Sequence, residues 1–134
     1  MATKKRVSSP QVPEPPPQTW SNCLVVGNHV YIAGMVARDG TAVLGGDSMY
    51  EQSRAVFAKI KHLIEAAGGH MDDVVKVLIF VTDIKRREEV WKARREVFTG
   101  DFPASTLVEV RALAAPELLV EVEAVAILGA GGKS

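Results

Sequence analysis

Two stretches near the end of the chain decide its fold: Phe102-Pro-Ala-Ser-Thr-Leu-Val-Glu-Val-Arg-Ala-Leu113 and, after a short break, Leu118-Leu-Val-Glu-Val-Glu-Ala-Val-Ala-Ile127. In both stretches the character of the side chains changes from one residue to the next. This alternation predicts β-strands, because successive side chains of a strand point to opposite faces. In the second strand Glu121 and Glu123 share one face with apolar neighbours. Carboxylates flanked by Val and Leu are unusual on a plain surface. We therefore expect this sheet face to line a polar cleft or a subunit contact.

Composition limits the classes of partner. A chain of 134 residues fits one domain. Its formal net charge is zero, whereas a general nucleic-acid binder carries a basic excess, so we expect no nucleic-acid and no membrane partner. Cys23 is the only cysteine, and the three histidines share no metal-ligand spacing. We therefore expect a cytoplasmic protein with no disulfide and no metal site.

The chain divides into a tail, a domain and a short end. Five of the seven prolines fall between Pro10 and Pro17, which predicts that residues 1–19 form a disordered or extended tail unable to pair as a strand. Residues 20–128 are expected to form a single domain. The glycine-rich residues 129–134 are expected to be a flexible C-terminus.

Hydrophobic periodicity within the domain predicts the remaining elements. They are a hairpin of Asn22–Val26 and His29–Ala33 around Gly27-Asn28, a helix from Asp47 or Ser48 to Ala67, a buried strand Val74–Val81, and a second helix from Thr82-Asp83 to Phe98. The order β-β-(β)-α-β-α-β-β predicts an α+β domain with both helices on one face of a mixed sheet. Two helices cover only one face, so we expect an oligomer with Glu109, Glu121 and Glu123 near its seams.

Each candidate site residue also has a structural interpretation. A half-buried Glu121 or Glu123 can act as a general base, but either could instead form an ion pair with Arg111 on a neighbouring strand. Trp20 and Trp91 could line a pocket or fill the core. The basic residues of the second helix are more typical of a solvated amphipathic helix than of a nucleic-acid surface.

Taken in order, several segments resemble the reactive-intermediate deaminase family, which is also called the YjgF family. The resemblance runs from about Trp20 to Ile127 and rests on an ordered set of short matches: Gly27–Gly34, Gln52, Ala66–Gly68, Asp73–Lys76, Phe80–Asp83, Phe102–Ala104, Val108–Val110 and Val120–Ala126.

The resemblance implies a fold, an assembly and a reaction. The fold is the chorismate-mutase-like (Bacillus type) α+β fold, and the assembly is a homotrimer with three clefts between subunits. The reaction is cofactor-free hydrolysis of enamines and imines derived from amino acids, which yields a keto acid and ammonia. In the family an arginine directly after Pro-Ala binds the substrate carboxylate with two N–H groups. A glutamate on the last strand helps to position the attacking water.

This chain departs from the family pattern at the arginine, where it has Ser105. A short neutral serine cannot form the ion pair, and we expect its loss to weaken binding of an amino-acid imine roughly ten- to a hundredfold. At Glu121 and Gly34 this chain has the same glutamate and glycine as the family. The resemblance places four further pocket positions, which are more apolar or more aromatic here, at Trp20, Ala33, Trp91 and Leu107. The chain thus resembles an arginine-lacking branch.

From these observations we expect a hydrolase or deaminase that acts on a small molecule lacking the usual carboxylate. Glu121 is its expected catalytic residue. The expected substrate-binding residues are Trp20, Ala33, Gly34, Trp91, Ser105 and Leu107. The alternatives are a non-catalytic small-molecule binder and a structural or chaperone-like trimer of the same fold. The sequence leaves open whether Arg94, Arg95 or Arg111 replaces the missing cation.

Overall fold

The computed structural model of the protein describes residues 3–132. Within this range the chain forms eight strands and two α-helices: β1 (Lys4–Arg6), β2 (Cys23–Val26), β3 (His29–Val36), β4 (Arg38–Asp39), β5 (Ala42–Val43), α1 (Met49–Ala66), β6 (Val74–Val81), α2 (Arg87–Arg95), β7 (Ala104–Glu109) and β8 (Val120–Ile127). Short 3₁₀ turns precede β6 and α2, at Met71–Asp73 and Ile84–Arg86.

Six of the strands form one mixed sheet in the order β1-β2-β3-β8-β6-β7. The pairing of β6 with β7 is parallel, and the other pairings are antiparallel. β4 and β5 form a separate two-stranded hairpin. The two helices contact each other, and α1 also packs on β3 and β8. The predicted α+β arrangement of two helices on a mixed sheet is confirmed.

The core lies between the helices and one face of the sheet. Val77, Ile79 and Val81 of β6 are fully buried and pair with the buried residues Ala124, Val122 and Val120 of β8. These alternate positions share one face of the sheet, because successive side chains of a strand point to opposite faces. Their burial shows that this is the face that the helices cover. The opposite face carries the partly exposed residues, including both glutamates of β8.

Helix α1 begins and ends where the sequence predicts. The Ser48 hydroxyl accepts a hydrogen bond from the Glu51 amide at 3.1 Å and so satisfies one of the free N–H groups of the first turn. Gly68 follows the helix with φ +94°, a conformation that glycine adopts without steric cost. The apolar residues Phe57, Ile60, Leu63 and Ile64 recur at helical spacing along α1 and are fully buried.

The second helix and the penultimate strand are shorter than predicted. The Asp83 carboxylate accepts from the Lys85 amide at 3.1 Å and caps a 3₁₀ turn, so α2 itself begins only at Arg87. The helix ends at Arg95, before Phe98, whose ring turns inward to pack edge-on against Phe57. β7 spans six residues, and a loop that lacks regular pairing connects it to β8.

The N-terminal segment differs from the expectation of an unpaired tail. Lys4–Arg6 pair antiparallel with β2, and Val12 is only 3% exposed. Arg6 and Glu14 also form an ion pair at 2.8 Å. The prolines follow β1 rather than interrupt it, so the free edge of β2 can accept a strand. Composition alone did not predict this pairing, because it depends on an edge that only the folded sheet provides.

The other end of the chain is also held against the domain. The Gly131 amide donates to the Asp73 carboxylate at 2.8 Å, and the turn from 129 to 132 is closed by a backbone hydrogen bond from Gly132 to Gly129. The flexible end predicted for 129–134 is therefore packed up to residue 132. Residues 133 and 134 lie outside the described range. Between residues 3 and 132 no helix combines the length and the apolar character needed to cross a membrane.

Candidate functional site

Glu121 is the most chemically distinctive residue of the open sheet face. It lies on β8 between Val36 of β3 and Phe80 of β6, and its side chain is half-buried. Burial raises the pKa of its carboxyl group, and the neighbouring Glu123 carboxylate raises it further. Within residues 3–132 its carboxylate makes no hydrogen bond and no ion pair. A desolvated, unpaired carboxylate of this kind is suited to accept and release a proton.

Gly34 provides the space that this carboxylate occupies. The register of β3 against β8 shifts between Ile32 and Met35, and Gly34 lies in this irregularity. A Cβ atom at position 34 would lie 2.8 Å from Cδ of Glu121 and would overlap its carboxylate oxygen. Glycine therefore leaves room for the Glu121 carboxylate, which any side chain at position 34 would displace, and the backbone angle at Gly34 is ordinary.

A cleft of about 480 Å³ begins beside Gly34. The N-terminal segment forms one wall and the end of β3 forms the other, with residues such as Pro13, Trp20, Gly34 and Lys59 lining it. Trp20 is 55% exposed, so it is not a core residue. Its indole N–H donates to the Asn22 side chain at 3.1 Å, and Asn22 in turn donates to the Pro13 carbonyl at 2.9 Å. These two hydrogen bonds tie the tryptophan to the proline-rich wall.

Ala33 lies next to this group, on the strand between the core and the cleft. Its side chain is partly buried against the hydrophobic core, and its amide donates to the Asn22 carbonyl at 2.9 Å. The structure thus places Glu121 against Gly34, and Gly34 lines the same cleft as Trp20, with Ala33 adjacent. We call these four residues the glutamate group.

The remaining predicted site residues form a second group at the other edge of the sheet. Ser105 and Leu107 lie on β7, the edge strand, and Trp91 lies on α2. The Ser105 hydroxyl accepts a hydrogen bond from Nη1 of Arg94 at 2.9 Å. The guanidinium carbon of Arg94 also lies 6.0 Å from the centre of the Trp91 ring. We call Trp91, Ser105 and Leu107 the serine group.

The two groups lie on opposite faces of the sheet. Ser105 pairs with Val77, whose side chain points toward the helices, so Ser105 points that way as well. Glu121 pairs with Phe80 on the open face. β6 also separates β7 from β8, which places these two strands about 10 Å apart. The two groups therefore cannot form one cleft within a single subunit.

The structure corrects the alternative in which Arg111 pairs with an acidic residue of β8. Arg111 does not lie on a strand that neighbours β8, and among residues 3–132 it forms no ion pair with Glu121 or Glu123. Arg111 instead follows β7 and lines a separate cavity at the loop before β8. Glu109 faces the helices, where its carboxylate accepts from the Ile84 amide at 3.0 Å and stabilises the turn before α2.

Lys59 is a cleft residue that the sequence did not reveal. It lies on α1, and its ammonium group donates to the carbonyls of Val36 and Arg38 at 2.8 and 2.5 Å. Burial lowers the pKa of this lysine. Its position in the helix pattern is that of an ordinary surface lysine, so no sequence signal indicated that it reaches the end of β3. In the part of the chain from 3 to 132, no three His, Cys, Asp or Glu residues are close enough to hold a metal ion.

Comparison with known proteins identifies the class of protein that this fold and site define. The family described as Endoribonuclease L-PSP matches residues 12–128. Two curated relatives match over most of their length. The chain is 30% identical over 131 residues to a 2-iminobutanoate/2-iminopropanoate deaminase of Dermatophagoides farinae, covering 96% of this chain and 99% of the relative. It is 33% identical over 109 residues to a RutC family protein of Pyrococcus abyssi, covering 80% and 84%.

Solved structures agree with this assignment. A protein of unknown function from Pseudomonas aeruginosa superposes with a TM-score of 0.86 at 39% identity, covering 96% of this chain and 94% of that one. A protein of the Rid family, YyfA of Yersinia pestis, superposes with a TM-score of 0.86 at 28% identity, covering 94% and 100%. The chain is therefore an α+β protein of the chorismate-mutase-like fold. It belongs to the L-PSP family, which is the YjgF family that the sequence resembles.

Proposed function

We propose that this protein is a small-molecule hydrolase of the imine and enamine deaminase type, working in clefts between its subunits. The observation that carries the proposal is the half-buried, unpaired carboxylate of Glu121, held over Gly34 beside the cleft that Trp20 lines. The name of the Dermatophagoides farinae relative, a deaminase of 2-iminobutanoate and 2-iminopropanoate, supports this type of reaction.

The proposed reaction needs one water and one group that moves protons. Water adds to the carbon of the protonated C=N bond, and Glu121 accepts the proton that the water loses, so the nitrogen becomes a neutral amine. The resulting carbinolamine carries a hydroxyl and an amino group on the same carbon. Glu121 then returns the proton to the nitrogen and ammonia leaves. The hydroxyl proton passes to the ionised Glu121 carboxylate, and a C=O group remains. A carboxyl group with a raised pKa suits both steps, because it accepts a proton more readily than an ordinary glutamate and can then return it to the substrate.

A homotrimer would complete the cleft. The glutamate group and the serine group occupy opposite faces and opposite regions of the sheet, so a site containing both requires a second copy of the chain. The open sheet face, which neither α1 nor α2 covers, is the surface available for that contact. The occupant that we propose is a small molecule, not a nucleic acid or a membrane, because the chain carries no excess of positive charge. The reaction that we propose needs no cofactor, and we place the protein in the cytoplasm.

Ser105 shapes the proposed substrate. The serine hydroxyl cannot form the two-pronged ion pair that an arginine forms with a carboxylate. We therefore propose a substrate that lacks the carboxylate which the family binds at this position. Trp20, Trp91 and Leu107 would provide apolar and aromatic walls, and backbone groups near Gly34 and Ser105 would orient the molecule.

Mixing two inactive variants tests whether the site is shared between subunits. Glu121→Gln removes the proton-moving group, and Ser105→Trp fills the serine group at an exposed position. Each variant alone should hydrolyse small imines at less than about a tenth of the wild-type rate. After joint unfolding and refolding, a random assembly should regain about a quarter of wild-type activity, because that share of clefts receives both intact halves.

The double variant that carries both changes is the matched control, and it should gain nothing when it is refolded with either single variant in place of the other. Failure of the two single variants to complement each other would contradict a shared site. An unmixed wild-type protein that hydrolyses no imine but shifts its melting temperature with small ligands would instead favour a non-catalytic binder. A wild-type protein that does neither would favour the structural or chaperone-like trimer.

A further inference from the structure

Arg94 is a cation without a counter-ion among residues 3–132. Three other arginines of the chain, Arg6, Arg54 and Arg86, are paired with glutamates at 2.7–3.5 Å. Arg94 has no such pair, and its interaction with a charged neighbour is repulsion from Arg95. Burial lowers its pKa, but a guanidinium stays protonated in proteins, so the charge persists.

The donors of Arg94 are only partly used. Nη1 donates to the Ser105 hydroxyl at 2.9 Å, whereas Nε is buried and has no hydrogen-bond partner within residues 3–132. A buried donor on a charged group is costly unless a partner satisfies it, and the strongest partner for a guanidinium is a carboxylate that accepts two N–H groups. The geometry thus leaves a place for an acceptor that the subunit itself does not supply.

The surroundings hold the guanidinium in place. The Trp91 ring has Arg94 at 6.0 Å and Arg87 at 5.5 Å from its centre, so two cations flank one aromatic ring. Arg94 lies in the last turn of α2, and its hydrogen bond to Ser105 anchors it to the edge strand β7. A guanidinium fixed at both ends loses less side-chain entropy when it binds an anion than a free surface arginine would.

We propose that Arg94 binds the anionic group of the ligand, with Ser105 as the positioning residue that orients its guanidinium. This inference rests on the proposed function for the identity of the cleft. It refines the substrate class to small molecules that carry one carboxylate, bound from α2 and not from position 105 of β7. The proposed substrate still presents no carboxylate to position 105 itself, and its acidic group lies toward α2 instead.

Binding of a stable keto acid tests the inference without turnover. 2-Oxobutanoate is the probe, because hydrolysis of an imino acid yields a keto acid, and 2-butanone is the uncharged probe of similar size. By calorimetry the wild type should bind 2-oxobutanoate and should bind 2-butanone at least about tenfold more weakly. Arg94→Gln should weaken binding of 2-oxobutanoate roughly ten- to a hundredfold.

Matched variants separate this role from a general effect of charge. Arg95→Gln removes the same charge from the adjacent, exposed residue and should leave the Kd for 2-oxobutanoate within about twofold. Arg94→Lys keeps the charge but cannot donate two parallel N–H groups to one carboxylate, so it should weaken binding several-fold. This variant tests the inference if Arg94→Gln does not fold. Ser105→Ala should weaken binding of 2-oxobutanoate by a smaller factor and should leave binding of 2-butanone unchanged.

Several results would overturn the inference. These are a wild type that does not prefer 2-oxobutanoate to 2-butanone, an Arg94→Lys variant with wild-type affinity, and equal losses in the variants at positions 94 and 95. Dissociation of the oligomer by Arg94→Gln with an unchanged Kd would show that a carboxylate of another subunit pairs with Arg94. Binding through Arg94 in a protein that hydrolyses no imine would leave this inference standing while the proposed function failed.

Discussion

The carboxylate of Glu121 on β8 occupies the space that a side chain at position 34 of β3 would fill, so Gly34 and Glu121 are in direct steric contact across the two strands. This contact joins the residue that we expect to move protons to the strand that borders the cleft. Glycine at this position leaves the carboxylate in place, although the backbone angles there are ordinary. The distance from Cδ of Glu121 to an added Cβ would be only 2.8 Å.

Gly34→Ala should therefore displace the carboxylate while the fold remains intact. The overlapping atoms belong to the flexible end of the glutamate, so we expect the melting temperature to stay within a few degrees of wild type. The rate of imine hydrolysis should fall about a hundredfold, since small displacements of a positioned group have effects of that size. Kinetics in a Glu121→Gln background provide the control, because there the added methyl should cause no further loss.

Glu123→Gln should change the pH dependence of hydrolysis. The negative charge of Glu123 raises the pKa of Glu121, so its removal lowers that pKa. The activity that depends on ionised Glu121 should then appear at a lower pH than in the wild type. Glu117→Gln is the matched control, since it removes an exposed carboxylate from the loop before β8. If the pH at which activity appears shifted equally in both variants, the proposed effect of Glu123 on the pKa of Glu121 would be contradicted.

Glu121→Gln should stabilise the protein at neutral pH while it abolishes hydrolysis. The pKa of Glu121 is raised in the folded state, so ionisation of this group destabilises the fold. Its contribution to stability is fully present below the pKa that a glutamate has in the unfolded chain, and it is lost as the pH rises through the raised pKa of the folded state. Urea unfolding at equal protomer concentration should show a gain for the variant at neutral pH and none at a pH below about 4. A less stable variant at neutral pH would be the contrary result.

Gln52 should be important for stability rather than for chemistry. Its fully buried side chain donates to the carbonyls of Gly46 and Glu117 at 2.7 and 2.9 Å and accepts from the Leu119 amide at 2.9 Å. Gln52→Leu leaves these three backbone groups unsatisfied, so we expect a loss of about 2–4 kcal/mol in unfolding free energy. Arg54→Gln breaks two exposed ion pairs at 3.5 Å and a cation–π contact with the Tyr50 ring at 5.7 Å, and it should cost only about 1 kcal/mol.

Local patterns were sufficient to predict most elements. The helical periodicity of α1 and its Ser48 cap, the apolar run of β6 and the alternation of β8 depend on neighbouring residues along the chain. The structure has these elements where they were predicted. The resemblance of short ordered segments was sufficient to predict the family, which the match over residues 12–128 confirms. The N-terminal segment shows where composition misleads, because pairing of Lys4–Arg6 depends on a distant strand edge.

By itself the sequence determined the periodicity of the strands and helices, the family, and the choice of Glu121 and Ser105 as candidate site residues. Only the tertiary structure decided that these two residues face opposite sides of the sheet, that Arg111 is remote from Glu121, and that Arg94 reaches Ser105. The physical reason is that strand order and register are set by long-range pairing and burial. Spacing along the chain fixes only which side chains of one element share a face.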